Sequence, residues 1–157
     1  MVKCMYKRWV SALIKKAETN CPYEICNYLK INVITSNLGS LNGYYIQSNG
    51  VGFIYINNSL DKYAQRAICA HELGHAVLHT NLNIRFMSEC TLFSKNKFEY
   101  QANLFGAYLT LTGIEERLSD YNGFTKHEIA AIEYVPVEYV ELYFNNFLLR
   151  EHNTPPI

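Results

Sequence analysis

Two histidines separated by three residues, with a glutamate directly after the first, are the residues of this chain best suited to chemistry: His71-Glu72-Leu73-Gly74-His75. On a helix, positions four apart share a face and lie about 6 Å apart along the axis. Both imidazoles can then reach one ion, and Glu72 sits beside that ion without having to ligate it. The arrangement suits metal-assisted hydrolysis. Zn²⁺ takes two imidazole nitrogens and a third protein ligand and keeps one position open for water, while the carboxylate takes the water's proton as it attacks a carbonyl. The pentapeptide predicts a zinc-dependent peptidase with Glu72 as general base.

Such a motif needs a helix through it, an apolar face beneath it and a third ligand from elsewhere. Residues 59–70 hold no Gly or Pro, and Leu60, Ala64, Ala67, Ile68, His71, His75 and Leu78 recur at three- and four-residue steps. This predicts one helix over about 59–79, capped by Asn58 or Ser59, with Asp61 in its first turn. Gly74 inside it costs roughly 1 kcal/mol against Ala, which points to close approach by another element. The candidate third ligand is Glu99, which opens a stretch where Glu99, Ala102, Asn103 and Gly106 share a helical face. Small residues at 102 and 106 would let that helix pack tightly on the first. His79 competes, four residues beyond His75 on nearly the same face. A third ligand on the same unbroken helix lies too far along the axis, and Val77-Leu78 offers no Gly turn to bring it back, so His79 reads as a group that packs on or hydrogen-bonds to the ligands.

The run Phe53-Ile54-Tyr55-Ile56-Asn57, the motif His71 to His75 with Leu78-His79 after it, and Glu99 with Ala102-Asn103 and Phe105 together resemble the ImmA/IrrE family of small zinc metallopeptidases. The resemblance spans about residues 40–110. It implies that His71, His75 and Glu99 bind zinc and that Glu72 is the catalytic base. It also implies a substrate class, because members cut or inactivate helix-turn-helix repressors and are often carried by phages and integrative elements. The chain departs from the family at the end of the second helix, reading Leu109-Thr110-Leu111-Thr112 where a Leu-Met-Pro-like run is common.

The elements that must hold these residues make an α+β fold: a small antiparallel sheet packed against a helical zincin-like core, with a C-terminal helical hairpin. A chain of 157 residues with 49% hydrophobic content can bury about two-thirds of its unfolded surface, enough for one domain over 1–157. Its core is expected at about 31–112 and its C-terminal helical subregion at about 113–150. Residues 3–19 repeat apolar positions at Met5, Trp9, Val10, Leu13 and Ala17 and read as an amphipathic helix, followed by a short helical segment from Pro22 to Leu29. Ile31–Thr35 reads as a strand. Tyr44–Gln47 and Gly52–Ile56 flank Ser48-Asn49-Gly50, a strong hairpin signal, and an edge strand of that hairpin is the candidate for holding extended substrate by strand addition. Beyond Gly113, Thr125 with Glu128 makes a capping box, and two short helices meet near Pro136.

That last outline is similar to a helix-turn-helix, but Glu128, Glu133, Glu138 and Glu141 would repel phosphate, so no direct nucleic-acid binding is expected and the hairpin reads as packing on the core or docking a protein substrate. Charge points the same way. Residues 1–17 carry five Lys or Arg and no acid, and residues 115–157 carry eight Asp or Glu against three Lys or Arg. Five cysteines, Cys4, Cys21, Cys26, Cys69 and Cys90, form no CxxC pair and suit a reducing cytoplasm, with packing roles rather than a zinc site from Cys21 and Cys26. No secretory signal and no membrane span is expected. Residues 153–157 read as a loose tail. Two functions stay open, with the partner in each being what the resemblance implies: a zinc endopeptidase acting on a regulatory protein, a helix-turn-helix repressor, or a zinc-stabilised binding module that inactivates its partner by sequestration. The intact Glu72 favours the first.

Overall fold

The computed structural model describes residues 2–79 and 92–151, with side chains over 5–79 and 96–146; Cys90 and the tail at 153–157 lie outside them. In chain order the elements are α1 (Val2–Ala17), α2 (Pro22–Tyr28), β1 (Asn32–Ser36), β2 (Gly43–Ser48), β3 (Val51–Asn57), α3 (Lys62–Leu78), α4 (Leu92–Thr110), a 3₁₀ helix (Ile114–Tyr121), α5 (Lys126–Glu133) and α6 (Val137–Glu151). The fold is α+β, three strands against a mainly helical body.

The hairpin forms where the turn signal sits. Asn49 and Gly50 both adopt positive φ, 49° and 79°, the conformation that a two-residue turn of this hand requires. β2 and β3 pair antiparallel, with Tyr44 opposite Tyr55 and Tyr45 opposite Ile54. The expectation of an all-antiparallel sheet is corrected by β1, which lies parallel to β3 from Asn32↔Phe53 to Ser36↔Asn57. The sheet order is β1-β3-β2, so β3 is central and β2 is an edge. Burial follows: β3 sends Ile54 and Ile56 fully into the core, where alternate residues of one strand face share a layer.

The helix carrying the motif begins later than expected, at Lys62. Its N-cap is Asp61, whose carboxylate accepts from the N–H groups of Tyr63 and Ala64 at 2.9 and 2.8 Å. Asn58 and Ser59 belong instead to the preceding turn. There the buried Asn57 donates to the carbonyls of Gly39 and Leu41 and accepts from the N–H of Ser59. On α1 the expected stripe holds at Val10, Leu13 and Ala17, which pack on the core, and departs from expectation at its start. Tyr6 and Val10 are buried, whereas Met5 and Trp9 are exposed, and Trp9 only edges onto Tyr6 in a T-shaped contact.

The run that departs from the family ends α4 by its own means. Thr110 and Thr112 donate back to the carbonyls of Gly106 and Tyr108, Leu111 is fully buried, and Gly113 takes φ 83° to leave the helix. The capping box at Thr125 and Glu128 is formed as expected. The C-terminal hairpin packs on the core: the Tyr139 hydroxyl donates to the Ala67 carbonyl of α3 across a buried contact of 3.1 Å.

Candidate functional site

α3 and α4 cross at a point where neither carries bulk. A methyl group added at Gly74 would stand 3.1 Å from both Cα and the carbonyl oxygen of Ala102 and 3.2 Å from Cβ of Phe105. The helices therefore meet backbone to backbone, as the glycine inside the motif suggested. This contact brings Glu99 of α4 over the two histidines of α3. The Nε2 atoms of His71 and His75 are 3.1 Å apart, and the Glu99 carboxylate oxygens lie 3.2 Å from His71 Nε2 and 3.4 Å from His75 Nε2. Two imidazole nitrogens and a carboxylate, all within 4.8 Å of one another, make a group that could hold a metal ion.

The electrostatics follow from that crowding. Burial alone would push His71 down, but Glu99, Glu72 and Asn103 outweigh it and hold its pKa above the ordinary histidine value. Hydrogen bonds from His71 and His75 hold the Glu99 carboxyl well below the usual carboxylate range. The half-exposed Glu99 closes the site from the solvent side, while the histidine side chains are only 13% exposed.

Glu72 lies beside this trio, in the seam between α3 and the sheet, and is 7% exposed. Burial raises its pKa, against the pull of His71 and His75. The backbone N–H of Tyr45, on the edge strand β2, is near enough to offset part of that rise. The strand can come this close because of Gly43, where a methyl group would meet Cγ2 of Ile68 at 2.5 Å and the carbonyl of Tyr55 at 2.8 Å. Gly43 carried no signal in the sequence beyond being a glycine.

A cleft of about 530 Å³ runs along this seam. β2 forms one side with Gly43, Tyr44 and Tyr45, α3 and Glu99 form the floor, and Pro136, Glu138 and Tyr139 form the other side. The edge strand expected to hold substrate thus borders the cleft. His79 also lines it, but as the C-cap residue of α3 and outside the donor trio. Its ring lies 5.6 Å from that of His75 and packs edge-on to Phe98 at 4.8 Å, which fits the packing role expected of it. His127 is exposed on α5, away from the cleft lining.

Sequence reasoning missed two partners of the site. Asn103, one turn after Glu99, sets its Oδ1 2.7 Å from Nδ1 of His71, and its Nδ2 donates to Glu138 at 2.9 Å. The four-residue step had put Asn103 on the face of Glu99 but gave it no role. Nothing local could have flagged Glu138, which arrives from a helix 35 residues further on.

Comparison with known proteins agrees with this geometry. Residues 26–143 match the family model Peptidase_M78, described as the IrrE N-terminal-like domain. The chain is 40% identical over 141 residues to "Uncharacterized immunity region protein 2" of Bacillus phage phi105, covering 88% of each chain. It is 39% identical over 134 residues to "Metallopeptidase ImmA" of Bacillus subtilis (strain 168), covering 83% of this chain and 78% of that one. The match over most of its length, with the donor trio and the buried glutamate inside the matched region, establishes that this chain belongs to the Peptidase_M78 family of IrrE N-terminal-like metallopeptidase domains.

Proposed function

We propose that this protein is a zinc-dependent endopeptidase that cleaves a regulatory protein, a helix-turn-helix repressor of a phage or mobile element, in the cytoplasm. The observation that carries the chemistry is the convergence of His71, His75 and Glu99 from two helices locked at Gly74. Their spacings of 3.1, 3.2 and 3.4 Å are close to the edges, about 3.3 Å, of a tetrahedron with the bond lengths of about 2.0–2.1 Å that Zn²⁺ makes to nitrogen and oxygen. Three protein donors of this kind would leave a bound zinc one position for water. Held by them, zinc would supply Lewis acidity that brings the pKa of water to about 7.

The residues of the chain do the rest. Glu72, buried beside the trio, would take the proton of the attacking water and return it to the leaving amine. β2 offers its open edge to an extended peptide, so that main-chain hydrogen bonds align the scissile carbonyl over the trio. His79 lines the cleft and is a group available to the developing oxyanion, whereas Tyr44 stacks on Tyr55, the Tyr45 hydroxyl lies over Gly52, and the Tyr139 hydroxyl is engaged with Ala67. The choice of substrate rests on the relatives, one a metallopeptidase and one encoded in a phage immunity region. The cytoplasmic setting rests on Cys26 and Cys69, free and fully buried with sulfurs 4.0 Å apart.

Elemental analysis of purified protein tests the site. About one zinc per chain is expected for wild type, lost in His75→Ala and Glu99→Ala; zinc retained without Glu99 would move the third ligand elsewhere. Incubation with a repressor encoded beside the gene tests the substrate. New fragments with wild type and none with Glu72→Gln support cleavage, whereas repression lost equally with the variant and without fragments would favour sequestration.

A further inference from the structure

We propose that Glu138 is a positioning residue for the metal site: through Asn103 it fixes the tautomer of His71, so that the C-terminal helix α6 sets the affinity of a site built on α3 and α4. The inference rests on the reading of His71, His75 and Glu99 as zinc ligands. It starts from the chain of contacts Glu138 Oε1, Asn103 Nδ2, Asn103 Oδ1, His71 Nδ1, with separations of 2.9 and 2.7 Å. An amide can face either way, and its two ends differ in what they ask of a neighbour. An ionised carboxylate only accepts. Glu138 therefore selects the orientation in which Asn103 gives its NH₂ to α6 and turns its oxygen to His71.

An oxygen facing Nδ1 in turn requires the proton to sit on Nδ1. The lone pair of His71 is then on Nε2, the nitrogen that stands 3.1 Å from His75 Nε2 and 3.2 Å from Glu99. With the amide reversed, Asn103 would offer N–H to Nδ1, favour the Nε2–H tautomer and place a proton where the metal must bind. Glu138 thus excludes the wrong arrangement from two residues away. It comes from outside the motif and from the half of the chain rich in acid, where its charge would otherwise read as a solvated helix face.

The test is zinc affinity of the full chain, measured by competition with a chromophoric chelator on metal-free protein, with the thermal midpoint of the same metal-free samples as a folding control. Glu138→Ala should weaken zinc about tenfold, at the low end of what ligand-orienting partners are worth. The decisive comparison is Glu138→Gln in two backgrounds. With Asn103 present, the new amide can donate as well as accept, so Asn103 loses its preferred orientation and affinity falls. With Asn103→Asp, the new carboxylate accepts at both ends, so Glu138 opposes it, whereas the amide introduced by Glu138→Gln can donate to it; here the same substitution raises affinity. A sign reversal between backgrounds supports the inference. A loss of similar size in both would mean that Glu138 acts only through its charge or through the stability of α6, and would overturn it. Wild-type affinity in Glu138→Ala would overturn it while leaving the ligand trio standing. Failure of wild type itself to bind zinc would overturn both.

Discussion

The floor of the cleft and its C-terminal flank are held together in different ways. α4 meets α3 through Gly74 and Ala102 with backbone atoms in contact, and every group implicated in ligation or proton transfer sits on those two helices. The C-terminal hairpin reaches the same helices through side chains: the Tyr139 hydroxyl on Ala67, Glu138 on Asn103, and Tyr134 stacked on Tyr63 with ring centroids 4.1 Å apart. Backbone packing leaves no slack, because neither partner can rotate away. Side-chain contacts can be traded one at a time. On the reading proposed above, the contrast explains how a metal site, whose ligand atoms must be placed within tenths of an ångström, coexists with a flank that can vary around it.

If the chemistry belongs wholly to the locked pair, the largest effect in the molecule should come from a change that leaves packing untouched. Glu72→Gln is nearly isosteric. It should remove about 10²–10⁴ of the rate, the share that general acid–base catalysis supplies, while zinc content stays at the wild-type level. Rate and metal measured on one preparation separate the two; zinc lost together with activity would show Glu72 to be part of the metal site rather than its base.

The packing half of the contrast can be broken by adding one methyl group on each side. Gly74→Ala gains about 1 kcal/mol of helix propensity but forces the methyl to within 3.1 Å of Ala102 backbone atoms, an overpacking that costs about 1–3 kcal/mol. A net loss is expected, with zinc affinity falling alongside. Gly106→Ala meets the edge of the Tyr139 ring, the hydroxyl at 2.5 Å and Cζ and Cε2 at 2.8 and 3.0 Å, so Tyr139→Phe should relieve the hydroxyl's share of the cost and leave the ring to shift for the rest. No second substitution should relieve Gly74→Ala. Thermal unfolding of the three variants and the double decides this, and a rescued Gly74→Ala would dissolve the distinction.

Zinc uptake sharpens the same picture. His71 stands above the ordinary histidine value, so on acidification it takes up, at a higher pH than an ordinary histidine would, a proton that a metal must displace, whereas Glu99 is held well below the usual carboxylate range and has none to lose. Affinity should therefore fall as pH drops, by about tenfold per unit for each proton displaced, once His71 is protonated. A chelator titration from about pH 8 to about 5.5, the range in which histidine changes charge, reads the slope, and a flat profile would contradict it.

The locked pair was legible in the sequence and its flank was not, for a physical reason. The spacing of His71 and His75, the unexpected Gly74 and the small Ala102 and Gly106 are local signals, since helical periodicity converts separation in sequence into a shared face. The turn at Asn49-Gly50 is local for the same reason. Glu138, Gly43 and the parallel pairing of β1 depend on contacts between distant segments, where the same residues would read equally well in other arrangements. Glu138 read as an argument against nucleic acid, and only its distance to Asn103 gives it a second role. The cap at Asp61 was missed because Asn58, Ser59 and Asp61 are all good caps, and the choice among them was made by Asn57, which uses the upstream backbone for its own turn.

The smallest expected effect tests the flank itself. Tyr134 ends α5 with φ 55° and ψ 47°, a left-handed conformation that costs an L-residue about 1–2 kcal/mol, yet it is 55% exposed and buries little in return. Its stacking on Tyr63 is the visible compensation, worth about 0.5–1.5 kcal/mol. Tyr134→Gly removes the stack and the strain together, so its stability should change by less than about 1 kcal/mol. Tyr134→Ala removes only the stack and keeps the strained backbone, so it should be the less stable of the two. In a Tyr63→Ala background the stack is already gone, and Tyr134→Gly should there turn stabilising. Denaturant midpoints of this small set measure how much one exchangeable contact holds the hairpin against α3. Equal losses for Gly and Ala would mean that Tyr134 is held by something other than its ring, and the flank would then be more firmly built than its side-chain contacts suggest.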